Sequence, residues 1–372
     1  MNLFDHKSIE FPISFLEINQ RINMIDPIKY GINRNYINGS VTYLSPYISR
    51  GVITTKMIFE QIMSKNYDYS KIEKFIQELA WRDYWQQVWI SKGDDINSDL
   101  KHPQSAVSNF NLPSAIIDGN TGIKAIDDAI KTFYETGYLH NHVRMYIAGI
   151  TCNVGKYHWK KPAQWMYYNL LDADWASNAL SWQWVAGTNS NKKYIANQEN
   201  INKYCFTTQK NTFLDIPYEN FDRLNTPNIL ISSENFGLNT PLPESDTFIL
   251  NENIPTCIYN IYNLDPNWKK NIETNNILLL EPSVFKKYPV SKKTIDFVIG
   301  LAKENIKNIK LFIGEFSEFT NIHKSKIIYY KEHPLNNHYE GVEDKRDFIF
   351  DVKGYHSSFF SFWKKCKKQL LA

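Results

Sequence analysis

Several clusters of polar, charged and aromatic residues carry the chemistry open to this chain. In Asp172-Ala173-Asp174-Trp175-Ala176-Ser177-Asn178-Ala179-Leu180-Ser181-Trp182-Gln183-Trp184, two carboxylates sit inside an aromatic run. Removing one member of a buried ion pair costs about 3–5 kcal/mol, so a carboxylate buried there needs a partner. Arg144 is available for one of them; the plainer alternative is a solvated loop, which the flanking Trp residues disfavour. Arg144 belongs to His140-Asn141-His142-Val143-Arg144-Met145, where Asn141, Arg144 and Met145 share one helix face. His140 and His142 are two apart and point in different directions on a helix, which argues against a metal pair.

Two further clusters precede these. In Ser40-Val41-Thr42-Tyr43-Leu44-Ser45-Pro46, hydroxyls and backbone N–H groups before a helix can hold phosphate oxygens, with Arg34 and Arg50 flanking. Plain helix capping is the competing reading. In Gln77-Glu78-Leu79-Ala80-Trp81-Arg82-Asp83-Tyr84-Trp85, Glu78, Trp81, Arg82 and Trp85 form one stripe. It runs beside an apolar stripe of Ile72, Phe75 and Leu79, so it should line a cavity. An exposed Glu78–Arg82 pair beside core Trp residues is the bland alternative.

The elements that must position these groups are helical. Ile72, Phe75, Ile76 and Leu79 within 70–91, and Ile123, Ile126 and Ile130 within 121–133, recur at helix spacing. Residues 140–154 and 183–187 lie in similar apolar surroundings, and Pro103, Pro113 and Gly119 mark an irregular connection. Near Asn225-Thr226-Pro227 the character changes. Apolar runs at 229–231, 247–250, 257–261, 277–280, 309–313, 326–330 and 347–350 read as strands, with a helix over 291–304. Strands alternating with helices predict an α/β layer with a largely parallel sheet. No GxGxxG or Walker loop supports nucleotide binding there. The expected organisation is a helical domain over 1–222 and a smaller α/β domain over 223–372.

Composition sets the outer bounds. A chain of 372 residues exceeds one ordinary core. Ten Trp, 23 Tyr and 22 Phe are more than a core requires and suit the stacking of flat ligands or bases. A net charge of +3 does not argue for nucleic-acid binding, which would need a local basic patch. Cys152, Cys205, Cys257 and Cys366 are too dispersed for a zinc or iron–sulfur site or a disulfide framework. Residues 1–15 contain Asp5, His6, Lys7 and Glu10 and do not read as a signal peptide, and no run is long enough for a membrane helix. A cytoplasmic monomer without metal is expected.

Taken in order, the SxTxLSP-like segment, ELAWRDYW, TGYLHNHVRM, DADWASNALSWQWVAGT and KKYIANQENINKY resemble the flavin domain of the photolyase/cryptochrome superfamily, over roughly Tyr30 to Lys203. The resemblance implies an α plus α/β fold class: an all-helical FAD-binding domain, followed here by a Rossmann-like α/β layer. It implies FAD held by Thr42, Leu44 and Ser45 at the phosphates, with Arg82 nearby, and contacted by Tyr30. Arg144 would pair with Asp172 beside the ring, Asp174 would bond its polar edge, and Asn178 and Asn141 would complete the site. Glu78, Trp81, Asn141, Met145 and Trp184 would meet a flipped lesion, Glu78 as a hydrogen-bond donor kept protonated by burial. Trp182 and Trp159 match the electron-relay positions.

The implied function is light-dependent DNA repair by electron transfer from reduced FAD to a pyrimidine dimer. Asn141 and Met145 stand where (6-4) repair members carry His, which points to cyclobutane dimers. Three departures accompany the match. The α/β domain follows the flavin domain rather than preceding it, and no antenna chromophore is expected. The outer relay position falls on Ala106, leaving either Trp165 or Tyr157 as substitutes or an inefficient photoreduction. His142 replaces an Arg expected on DNA, making phosphate binding weaker and pH-dependent, with Lys156, Lys160, Lys161, Lys192 and Lys193 as compensating charges. The alternatives are a cryptochrome-like photoreceptor without repair, or a flavoprotein that binds nucleic acid without photochemistry. Single-stranded DNA is the expected preference, since flipping costs less there.

Overall fold

The computed structural model describes residues 9–190, 192–235 and 237–370; Met1–Ser8, most of the segment weighed as a leader, lie outside them. Two compact units are built from interleaved stretches of chain. One takes Ile32–Val41 and Asp94–Leu238; the other takes Phe11–Gly31, Thr42–Gly93 and the residues from Asn239 onward. Residues before 222 are therefore shared between both units. Among the described residues no helix is long and apolar enough to cross a membrane.

The first unit is helical. Its main helices are Lys124–Thr136, Asn141–Gly149, Lys160–Asn169, Trp175–Ala186 and Gln198–Cys205, with a π-helical turn at Ile150–Val154. Local chemistry sets their ends. Asp174 caps the Trp175–Ala186 helix by accepting the Ser177 N–H at 2.7 Å, and Gly187 ends it at φ 85°. Gly137 ends Lys124–Thr136 at φ 70°, and a Cβ there would lie 2.7 Å from Leu171 Cγ. Only glycine lets Leu171 approach that closely. The Leu171 N–H then bonds the Gly137 carbonyl at 2.9 Å, which delivers Asp172 to the entrance of the next helix. Gly137→Ala is expected to lower stability by about 1–2 kcal/mol through the positive φ and the clash, read as a lower urea midpoint. An unchanged midpoint would refute this account of the loop.

The second unit joins helices to a sheet. The 24-residue helix Tyr69–Lys92 starts at an Asp68 cap and buries Ile72, Phe75, Ile76 and Leu79, the apolar stripe read from sequence. The sheet has five parallel strands: β1 (Thr256–Tyr259), β2 (Asn275–Leu280), β3 (Lys310–Ile313), β4 (Ile328–Lys331) and β5 (Val342–Asp344). Their spatial order is β3-β2-β1-β4-β5, with the direction of winding reversing between β1 and β4. Helices Lys292–Asn305 and Phe316–Ile322 lie in the β2–β3 and β3–β4 connections. This is the doubly wound arrangement.

Three expected strands are absent. Residues 229–231 fall on a single 3₁₀ turn, Asn228–Leu230. Residues 247–250 make no ladder: Phe248 and Leu250 pack on the core of Ile258, Ile277, Leu279 and Phe312, while Ile249 is 97% exposed. Residues 347–350 are also irregular, the last strand being Val342–Asp344 instead. Apolar alternation records which side chains are buried and does not require a hydrogen-bonded neighbour.

Candidate functional site

In the first unit, Arg144 and Asp172 form a bidentate contact. One terminal guanidinium nitrogen donates to both carboxylate oxygens, at 3.1 and 2.9 Å, while Nε donates to the Leu139 carbonyl at 2.8 Å. The Asp172 side chain is almost fully buried. The partner that the aromatic run demanded is thus present. Asp174, Asn178 and Ser177 follow on the next helix. Asp174 and Asn178 are buried, and the Asn178 amide is oriented by donating to the Ala163 carbonyl at 2.8 Å. Ser177 Oγ is buried with no hydrogen-bond partner among the described residues. A buried hydroxyl in that state is an opening for a ligand atom.

The same unit holds the other aromatic candidates. Trp182 and Trp159 are buried, and Trp184 is 38% exposed beside Tyr194. Asn141 is exposed at the start of its helix, with Met145 half-buried one turn on. Trp165 donates to the Tyr134 hydroxyl and Tyr157 to the Leu230 carbonyl, both deep in the unit. Neither proposed substitute for Ala106 therefore reaches the surface, whereas Ala106 is itself exposed in a left-handed turn at φ 58°.

His142 requires a correction. It is buried, 2.8 Å from the Asn35 carbonyl through Nδ1, and its ring stacks on Tyr146. Burial pulls its pKa below the usual histidine value. It is a core residue on the i,i+4 face shared with Tyr146, not a surface group on phosphate, so the expected pH-dependence from this residue does not follow. Lys161 and Lys193 do lie exposed, bonded to the Asn235 side chain and the Ser105 carbonyl respectively.

In the second unit, Arg82 donates to Ser49 Oγ at 2.9 Å, which brings the guanidinium against the Ser45–Ser49 helix. Thr42 Oγ1 accepts the Leu44 N–H at 3.4 Å; Leu44 is buried and Ser45 half-buried. Tyr30 meets Phe75 edge to face. Arg50 departs from expectation: it is fully buried, donates to the Ile261 carbonyl at 3.3 Å and lies over the Tyr262 ring. It holds the segment after β1.

Glu78 and Trp81 also differ from their expected settings. Glu78 pairs with Lys74 at 3.0 Å, with a quarter of its side chain exposed, so the burial invoked to keep it protonated is not found. Its i,i+4 partner is Lys74, one turn earlier, rather than Arg82. Trp81 stacks on Phe359 at 3.9 Å and 10°, beside Trp85 and Tyr84. One indole face is therefore already covered. Sequence reasoning missed Ser177, Lys74 and Phe359. Lys74 was readable from i,i+4 spacing; Phe359 carries no local signal.

Comparison with known proteins adds the following. A family model described as the FAD binding domain of DNA photolyase matches residues 75–213. The chain is 27% identical over 168 residues to the deoxyribodipyrimidine photo-lyase of Alkalihalophilus pseudofirmus, covering 42% of this chain and 34% of that protein. It is 30% identical over 151 residues to the deoxyribodipyrimidine photo-lyase of Streptomyces griseus, covering 40% and 33%. A cryptochrome DASH of Oryza sativa subsp. japonica is 28% identical over 161 residues, covering 41% and 27%. The solved structure of a Synechocystis cryptochrome aligns with a TM-score of 0.48 at 22% identity, over 54% of this chain and 45% of that one. The matched region thus spans about a third of the length of these curated relatives.

Proposed function

Since residues 75–213 belong to the photolyase/cryptochrome superfamily, we propose that this chain binds FAD and repairs cyclobutane pyrimidine dimers in DNA under light. The observation that carries the reading is the buried Arg144–Asp172 pair, with Asp174, Ser177 and Asn178 following on the next helix. That donor and acceptor set fits a planar heterocycle with a polar edge. Arg144, Asp172, Asp174, Asn178 and Asn141 would hold the ring. Thr42, Leu44, Ser45 and Arg82 would serve the phosphate chain, Arg82 with its guanidinium already oriented by Ser49, and Tyr30 would also contact the cofactor. When bound and reduced, the flavin supplies on excitation the electron that opens the cyclobutane ring.

The remaining work falls to the chain. Trp184 and Trp81 would stack the extruded bases, each contact contributing about 1–3 kcal/mol against a flipping cost of a few kcal/mol. Asn141 and Met145 would shape the pocket around the dimer. Glu78, held by Lys74, would accept a hydrogen bond from a ring N–H of the lesion. Trp182 and Trp159 would carry electrons inward when the flavin arrives oxidised. Lys161 and Lys193 would meet phosphates, and single-stranded DNA would be preferred because less pairing is lost.

The test is restoration of ultraviolet-damaged oligonucleotides by the chemically reduced protein under blue light. Wild type should restore them, and Glu78→Gln should lower the yield about tenfold at equal flavin content. No restoration by flavin-loaded wild type would overturn the proposal. Comparing single-stranded with duplex lesions tests the strand preference. One observation favours the second reading, a photoreceptor without repair: Ala106, where the relay would end, is not aromatic. A light-dependent partner interaction in a protein that restores no lesion would select it.

A further inference from the structure

Trp159 is fully buried, and its indole N–H donates to Asp99 Oδ1 at 2.7 Å. The same oxygen lies 3.2 Å from His158 Nε2, and Oδ2 accepts the Gln104 N–H at 2.8 Å. His158 Nδ1 accepts the Lys160 N–H at 3.3 Å, which assigns the proton to Nε2 and makes the imidazole a donor to Asp99. Three N–H groups thus converge on one carboxylate. Gln104 fixes the frame further, accepting the Trp159 backbone N–H at 3.0 Å and donating to the Tyr157 carbonyl at 2.7 Å.

The choice of acceptor is what stands out chemically. Elsewhere in this unit Trp165 donates to a Tyr hydroxyl and Trp175 to the Asn97 amide oxygen, so a neutral oxygen satisfies an indole N–H. In the second unit Trp268 also donates to a carboxylate, Asp344, but Lys269 pairs with that charge at 2.9 Å. Asp99 has no Lys or Arg partner among the described residues, and burial holds His158 below the usual histidine pKa. An uncompensated negative charge sits in contact with a buried indole N–H, where it stabilises positive charge on the ring.

We propose that Asp99 is the proton acceptor for an oxidised Trp159. This rests on the proposed photochemistry, which supplies the oxidant: a photoexcited oxidised flavin that removes one electron from the tryptophan relay. The Trp159 radical cation then breaks its Nε1–H bond. The bonding pair stays on nitrogen, the proton bonds to Asp99 Oδ1, and a neutral indolyl radical faces a carboxylic acid. A dissolved thiol returns one electron, Asp99 returns the proton, and the indole is restored. Because the ring has no contact with water, the carboxylate does locally what solvent would do for an exposed tryptophan. Proton loss removes the positive charge that would draw the electron back, which lengthens the separated state in a chain whose outer relay position is Ala106.

The experiment is flash photolysis of the flavin-loaded protein, reading the visible bands that separate cation from neutral indolyl radicals. Wild type should give the neutral radical, absent in Trp159→Phe. Asp99→Asn keeps an oxygen acceptor but takes no proton; it should show the cation, decaying at least tenfold faster. Asp99→Glu, checked for folding like the others, should restore the neutral species. A neutral radical formed at the wild-type rate in Asp99→Asn, a persistent cation in wild type, or no Trp159 radical at all overturns the proposal. Lesion repair by chemically reduced wild type, which needs no relay, separates these failures from failure of the proposed function.

Discussion

Asp172→Asn is expected to purify with little bound flavin and to unfold at lower denaturant than wild type. The substitution keeps shape but removes the charge opposite Arg144, whose nitrogen now contacts both carboxylate oxygens. A broken buried pair costs about 3–5 kcal/mol; Arg144 is partly exposed, so about 2–3 kcal/mol is the reasonable figure here. Flavin affinity should fall at least tenfold, about 1.4 kcal/mol, because the guanidinium loses the partner that aims it. Absorbance per chain and a urea titration read the two effects. A variant with wild-type flavin content and an unchanged midpoint would deny the pair any role in either.

The second large effect is a dependence of stability on pH through Asp83. This carboxyl is fully buried between the Thr55 hydroxyl at 2.7 Å and the Ile349 N–H at 2.9 Å. Burial pushes its pKa up from 3.8 to about 6, outweighing those hydrogen bonds and the nearby Arg346 and Arg82 charges. Between those values the folded chain keeps a proton that the unfolded chain has released. Stability from this group is therefore greatest below about pH 4, falls as pH rises to about 6, and is level above; the loss is of the order of 3 kcal/mol. Asp83→Asn should remove that slope. Urea midpoints of both proteins at pH 4.5 and pH 7 decide it, and a constant difference between the proteins would sink the assignment.

Much of this architecture was legible in the sequence, for identifiable reasons. The helix at Tyr69–Lys92 announced itself through a long 3.6-residue period, a signal that is local. The parallel strands β1 to β4 were legible as short apolar runs. The cost of an unpaired carboxylate among aromatic residues made Arg144 a partner for one of Asp172 and Asp174, and the family resemblance pointed to Asp172. What escaped was non-local. His142 looked like a surface charge until its face was seen to be that of Tyr146. Asp99 and Trp159 are sixty positions apart, and no spacing rule connects them. Phe248 and Leu250 imitated a strand because burial alternates along any extended segment packed on a core.

The long helix also has a consequence for biosynthesis. Several of its polar and aromatic partners come from far downstream: Arg346 on Gln86, Ile349 on Asp83, Gly354 on Gln87, His356 on Tyr84, Phe359 on Trp81 and Lys367 on Glu73. At about 5–20 residues per second, a ribosome takes roughly 15–60 s to travel from one set to the other. Throughout that interval the nascent helix carries a sticky aromatic stripe and an Asp83 that still lacks its Ile349 partner, which makes it a segment for a chaperone to hold.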